Sequence, residues 1–298
     1  MTNTSKLCLG TAQLGMHYGI NNMIGKPSLE ESRSIVSLAI NNGITAFDTA
    51  PEYGDSEEIL GKCLDGTSRG KLMLISKVPP TDWSKSKEDI IERVNNTLNK
   101  TLKDLGIKIL PVYLFHRFND IEKENSLILN ELISIKQKGL IGKIGVSIYT
   151  PEEAERSLNI EGVEVIQVPF NLIDKRLLEN GFLSRAMKKG ITVLARSVFL
   201  QGLFFKKDIP DKLKVFKPYQ KKIIDICAEE DMSMEELALR YVLGIAGINS
   251  VIIGAETTDQ LQGNIKIARK PKLSSEIAGK IDKLGSAPES IINPGLWN

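Results

Sequence analysis

The sequence is poor in the residues on which disulfide-built and metal-built folds depend. Among 298 residues there are three cysteines, Cys8, Cys63 and Cys227, and two histidines, His17 and His116. The cysteine count is odd and no pair is spaced Cys-x-x-Cys. That argues against a disulfide framework and a thiolate metal site, and fits a reducing, cytoplasmic setting. No carboxylate cluster suits a metal either, so none is expected. An excess of one charge is also missing: 39 Lys and Arg stand against 37 Asp and Glu, leaving +2. The basic residues are dispersed, whereas a nucleic-acid surface needs a concentrated stripe. Long apolar runs are absent too. The first fifteen residues hold no apolar core of a secretory signal. The most apolar stretch, 237–255, is interrupted by Arg240 and Asn249. It reads as a buried helix running into a buried strand, not as a membrane span.

What is present is the rhythm of an α/β protein. Short runs rich in Val, Ile and Leu occur at 7–11, 44–48, 72–76, 111–115, 144–147, 163–168, 191–195 and 250–253. Their lack of alternation is that of strands buried on both faces. Between them lie helical segments with recognisable starts. Ser28 to Glu31 forms a capping box ahead of an apolar period that ends at Gly43. Thr150 to Glu153 adds Pro151 at the first helical position. Ser233 opens a helix through Val242. Ile90, Val94, Leu98 and Leu105 repeat at helical spacing within 89–105. About eight strand–helix units with no linker or change of composition predict a (β/α)8 TIM barrel, with residues 1–298 as a single domain. Segment 204–218, with its lysines, prolines and lack of period, is expected to be a mobile loop over one end of the barrel. No amphipathic seam marks an oligomer, so oligomeric state is left open.

In such a barrel the functional groups sit at the C-terminal ends of the strands. The second strand runs into Asp48 and, five residues on, Tyr53. The third ends at Lys77 and the fourth at His116. Singly, each has an ordinary reading: a turn aspartate, a packing tyrosine, a loop lysine, a core histidine. Together, from three successive strands, they form a coherent set. Reduction of a carbonyl leaves negative charge on oxygen, which must be protonated. A phenol is a weak acid at neutral pH unless a neighbouring ammonium such as Lys77 favours its anion. Asp48 would pair with Lys77, and His116 would orient the substrate oxygen. The hydride has to come from a cofactor, because no side chain can supply one.

These residues carry a resemblance. The chain resembles the aldo-keto reductases over nearly its whole length. Gly10-Thr11-Ala12, the segment from Phe47-Asp48-Thr49-Ala50 to Tyr53-Gly54, Ser56-Glu57 and Leu60-Gly61 look like that family's opening signature. Asp48, Tyr53, Lys77 and His116 match its catalytic tetrad in order and spacing. The resemblance implies an NAD(P)H-dependent oxidoreductase reducing a small polar or sugar-like aldehyde or ketone to an alcohol, with Tyr53 as general acid. It implies NADPH as cofactor, with NADH possible. Thr11, Ala12 and Asp48 join its cofactor site at the first two strands. Ser147 and Gln167 would hold the nicotinamide carboxamide. Arg196, Ser197, Leu200 and Gly202 lie in the loop similar to the one that covers the pyrophosphate. Gly254, Gln260 and Asn264 lie in the segment similar to the adenosine-phosphate site. No Gly-x-Gly-x-x-Gly occurs, as expected of a family that binds its dinucleotide across a barrel.

Three positions depart from the family pattern. Ile148 follows Ser147 where asparagine is frequent. Arg196 stands where the nicotinamide usually meets an aromatic ring, and its guanidinium plane can stack instead. Gln260, with Glu256 close by, stands where an arginine often meets the 2′-phosphate. For the substrate, His17 and Tyr18 either line the mouth or hold a loop. Trp83 either walls the pocket or anchors its loop. Arg117 either recognises a hydroxylated or anionic substrate or makes a surface ion pair. The tail, 287–298, places Trp297 as a further candidate at the mouth. Two other readings are open to test. One is a cofactor-binding regulatory or sensor subunit. The other is a barrel lyase or isomerase, against which Gln167-Val168-Pro169 offers no Schiff-base lysine.

Overall fold

A computed structural model describes residues 4–297. Eight parallel strands close into a barrel in sequence order. They are β1 (Leu7–Gly10), β2 (Ala46–Asp48), β3 (Met73–Val78), β4 (Leu110–Phe115), β5 (Ile141–Ser147), β6 (Val163–Pro169), β7 (Thr192–Arg196) and β8 (Ser250–Ile253). The eight apolar runs of the sequence are these strands, with ends shifted by up to three residues. The last strand pairs with the first, Leu7 opposite Val251 and Leu9 opposite Ile253, so no edge is left exposed.

The barrel has two apolar layers. Cys8, Ala46, Met73, Ile75, Val112, Leu114, Val165 and Leu194 form a compact cluster of their own. The alternate residues, such as Tyr113 and Phe115 of β4, join the larger core shared with the helices. This period of two follows from strand geometry: neighbouring side chains leave on opposite faces.

The helices that cover the barrel are α1 (Leu29–Asn41), α2 (Ser56–Cys63), α3 (Lys87–Asp104), α4 (Asn119–Gln137), α5 (Pro151–Ser157), α6 (Phe182–Lys188), α7 (Met234–Gly244) and α8 (Thr258–Ala268). Their starts are written locally. Ser28 and Glu31 exchange bonds as a full capping box before α1, and Thr150 and Glu153 do so before α5. Ser233 Oγ accepts from Glu236 N at 3.1 Å before α7. No helix among the described residues is long and apolar enough to cross a membrane.

Two expectations are corrected. Segment 204–218 is not an open loop. It takes in the end of the 3-10 stretch Leu200–Phe205 and all of the 3-10 turn Asp211–Phe216, and leads into a helix at Lys217–Glu229. Phe204 and Phe216 are fully buried, their rings stacked with centroids 5.8 Å apart. Burial of two phenyl groups outweighs the polar composition between them. Trp297 does not reach the mouth either: it packs into the core and donates from Nε1 to Ile291 O at 3.2 Å. A large ring with a single donor is satisfied by that one carbonyl.

Candidate active site

Four side chains expected to converge do so at the C-terminal rim. Asp48 ends β2, Lys77 is the penultimate residue of β3, His116 follows β4, and Tyr53 sits in the turn before α2. Parallel pairing sets β2 beside β3 and β3 beside β4, with Asp48 opposite Ile75 and Lys77 opposite Leu114. Lys77 is fully buried and donates from Nζ to both Asp48 oxygens and to Thr49 O, each at 2.9 Å. All three ammonium protons thus have acceptors, which a buried cation requires. The same Nζ lies 4.8 Å from the Tyr53 ring centroid. The Tyr53 and His116 rings meet edge to face, centroids 5.9 Å apart.

The turn carrying Tyr53 is held by close backbone approach and by one hydroxyl. A methyl group at Gly15 would overlap Tyr53 O, which explains glycine there. Ser56 Oγ donates to Thr11 O at 2.9 Å and bonds the hydroxyls of Thr11 and Thr49 at 2.6 and 2.9 Å. Ser56 therefore ties β1 to the residue whose carbonyl receives Lys77.

Burial raises the Tyr53 hydroxyl above its ordinary value, and the Lys77 ammonium pulls it down without cancelling that effect. The expected lowering by Lys77 is a real contribution, but desolvation is larger. For Lys77, burial opposes the charge, while Asp48 and Tyr53 outweigh it and hold the pKa above the usual lysine value. His116 is pushed down to about 3, first by burial and then by the charges of Lys77, Arg196 and Arg117. It is neutral at physiological pH, and its Nδ1 is buried with no hydrogen-bond partner among the described residues.

The strands β5 to β7 bring up a second group. Gln167 donates from Nε2 to Asp48 Oδ1 at 2.8 Å, and its Oε1 accepts from Ser147 Oγ at 3.4 Å. Arg196 donates to Ile148 O at 2.9 Å and to Ser197 Oγ at 3.2 Å, and its guanidinium lies 4.2 Å from the Tyr149 ring centroid. Its stacking partner is thus a residue of this chain. Beyond it, Ser197, Leu200, Gln201 and Gly202 all take positive φ. The first three are not glycine, and such a run is strained backbone of the kind found at ligand clamps.

A cavity of about 780 Å3 opens on these groups. Asp48, Tyr53 and His116 line it, with Lys77 behind them. Thr11, Ala12, Tyr18, Ser147, Gln167, Arg196, Ser197, Gly202, Gly254, Gln260 and Asn264 also line it. Besides Lys77, three expected residues do not. Leu200 points fully into the core. Trp83 donates from Nε1 to Asp120 Oδ1 at 2.7 Å and anchors the β3–α3 loop to α4. Arg117 is exposed, away from the cavity and in no ion pair among the described residues. The cavity also gathers residues the sequence did not single out as lining: Gln13, Asn21, Tyr149, Gln201 and Phe205. Only Gln13 and Gln201 stood next to residues named as site members, and polar neighbours at strand ends were the available signal.

A closed barrel that gathers a buried acid–lysine pair, a phenol and a neutral imidazole at its C-terminal rim holds them where barrel enzymes carry their functional groups. Residues 6–286 match the Aldo/keto reductase family, and the chain belongs to it. The chain is therefore an oxidoreductase of small carbonyl compounds, from a family that uses nicotinamide cofactors. It is 23% identical to the L-glyceraldehyde 3-phosphate reductase of Escherichia coli O157:H7, over 94% of this chain and 90% of that protein. It is 28% identical to the NADH-specific methylglyoxal reductase of Escherichia coli K12, over 75% of this chain and 78% of that one. Among solved structures it is similar to the holo form of aldo-keto reductase AKR11C1 from Bacillus halodurans, with a TM-score of 0.76 and 24% identity over 96% and 93% of the two chains. That last likeness is one of fold.

Proposed function

We propose that this protein reduces a small polar or sugar-like aldehyde or ketone to an alcohol, with Tyr53 as general acid and a reduced nicotinamide dinucleotide as hydride source. The observation that carries the reading is the placement of the Lys77 ammonium between both Asp48 oxygens and the Tyr53 ring, behind the wall of the cavity that Asp48 and Tyr53 line.

The residues present fit such a cofactor. The cavity runs from Tyr53 to Gly254 and Asn264, a path for an extended molecule. Ser147 and Gln167 would take the carboxamide end, while Ser197, Gly202, Gly254 and Asn264 would take the rest. When bound, the dinucleotide supplies the hydride. NADPH is what the family resemblance implies, and one relative is named as NADH-specific; both are tested below.

The chain's own residues handle the proton. His116, neutral and with an unpartnered ring nitrogen, donates to or positions the carbonyl oxygen without adding charge. Tyr53, kept protonated by burial, gives up its proton to that oxygen. Lys77 stabilises the phenolate left behind, and Asp48 keeps Lys77 charged throughout. Small, hydroxylated substrates suit a mouth lined by Tyr18, Tyr149 and Gln201, and the named substrates of the two relatives are small carbonyl compounds. The three free cysteines suit a cytoplasmic enzyme.

The test is a carbonyl panel followed by the loss of absorbance of the reduced dinucleotide. Tyr53→Phe is expected to lower turnover by about 10²–10⁴-fold while dinucleotide binding persists. A variant that keeps the wild-type rate removes Tyr53 from the mechanism. Tight dinucleotide binding with no turnover over the whole panel would instead assign the chain a sensor role.

A further inference from the structure

The cavity is not uniform in charge along its length. At the Tyr53 end its lining cation is Arg196. At the opposite end, between the start of α7 and the start of α8, it is lined by Glu235, Glu256 and Asp259, and no Lys or Arg lines that end among the described residues. Gln260, in the first turn of α8, is already committed. It donates from Nε2 to Glu256 Oε2 at 2.8 Å, and its Oε1 accepts from Glu256 N at 2.7 Å. Asp259 in the first turn of α8 further offsets the positive helix end that a phosphate would otherwise meet.

We propose that this end of the cavity accepts an adenosine ribose with a free 2′-hydroxyl and repels one with a 2′-phosphate, so that NADH is the preferred cofactor. This rests on the dinucleotide reading above. A carboxylate such as Glu256 is an acceptor for a ribose hydroxyl. A phosphomonoester carries about −1.5 to −2 at neutral pH, and here it would enter beside three carboxylates, with no cation lining that end among the described residues. Arg196 cannot compensate, being bonded to Ile148 O and Ser197 Oγ and stacked on Tyr149 at the other end. The repulsion is between partly exposed groups, so it is modest per pair and sensitive to salt.

The experiment is a titration of protein fluorescence with NADH and with NADPH, at low and at high ionic strength. NADH is expected to bind tighter by about tenfold or more at low salt, and the ratio is expected to shrink as salt is added. The double variant Glu256→Gln/Gln260→Arg is expected to raise NADPH affinity about tenfold and to weaken NADH by a few-fold at most. Glu235→Gln/Asp259→Asn, at two exposed positions, is expected to raise NADPH affinity alone. NADPH binding as tightly as NADH at low salt, or double variants that leave the ratio unchanged, overturns the proposal while leaving the dinucleotide reading intact. If neither dinucleotide binds, both fall together.

Discussion

Lys77 and Lys175 are both buried, at 0% and 2% exposure, yet they answer burial in opposite ways. Lys77 faces a carboxylate, and its pKa is held above the usual lysine value against the cost of desolvation. Lys175 faces carbonyls. Its Nζ donates to Ile281 O at 2.7 Å and Asp282 O at 3.1 Å, at the end of the helix Ser275–Asp282. Burial lowers its pKa, and the charges of Asp282 and Glu179 only partly oppose that. Carbonyl dipoles at a helix end attract an ammonium but do not replace a full counter-charge. The first lysine is thus held charged beside Asp48 and Tyr53. The second closes the last turn of the tail helix against the loop after β6. Burial alone does not decide the charge of a lysine; the charge of its partner does.

Three substitutions test this contrast, in falling order of effect. Lys77→Met leaves Asp48 buried without its cation. It is expected to cost about 3–5 kcal/mol of stability and to lower turnover at least a hundredfold, by the rough scale for a buried ion partner and an electrostatic stabiliser. A variant with wild-type melting temperature and rate would show the pair to be idle. Gly15→Ala forces a methyl group onto Tyr53 O. Its displacement of the phenol should lower kcat by roughly ten- to a hundredfold, in line with the cost of a misplacement of about 1 Å, with a smaller change in melting temperature. Unchanged kcat would mean that the turn yields without moving the ring. Lys175→Met strips two helix-end carbonyls of their donor and should cost about 1–3 kcal/mol with kcat unaltered. An accompanying loss of activity would dissolve the contrast between the two lysines.

The smallest effects are those of pH. His116 stays neutral down to about 3, so kcat should show no inflection between pH 5 and 8 and should fall only on the alkaline side, as Tyr53 ionises above its ordinary value. A rate that follows a group titrating near neutrality would contradict the neutral imidazole. The two lysines should also leave opposite marks on stability. The folded-state pKa of Lys77 is raised, so its contribution is complete below the ordinary lysine value and is lost as pH rises through the folded one. The folded-state pKa of Lys175 is lowered, so its penalty is relieved as pH climbs from the folded value towards the ordinary one. Melting curves from neutral to alkaline pH, on wild type and both methionine variants, separate the two signs.

The sequence by itself determined the eight strands, the capped starts of α1 and α5, and the convergence of Asp48, Tyr53, Lys77 and His116. These are legible because strand, cap and parallel repeat are local patterns, and the repeat carries every strand's C-terminal end to one rim. Tertiary structure alone decided the rest. Trp83 finds Asp120 across 37 residues, and Gln167 finds Asp48 across 119. Phe204 folds onto Phe216, Arg196 onto Tyr149, and Trp297 turns into the core. In each case the side chain's role is set by a contact that loop closure brings to it, and no window along the chain contains enough of that contact to foretell which of several satisfied states has the lowest free energy.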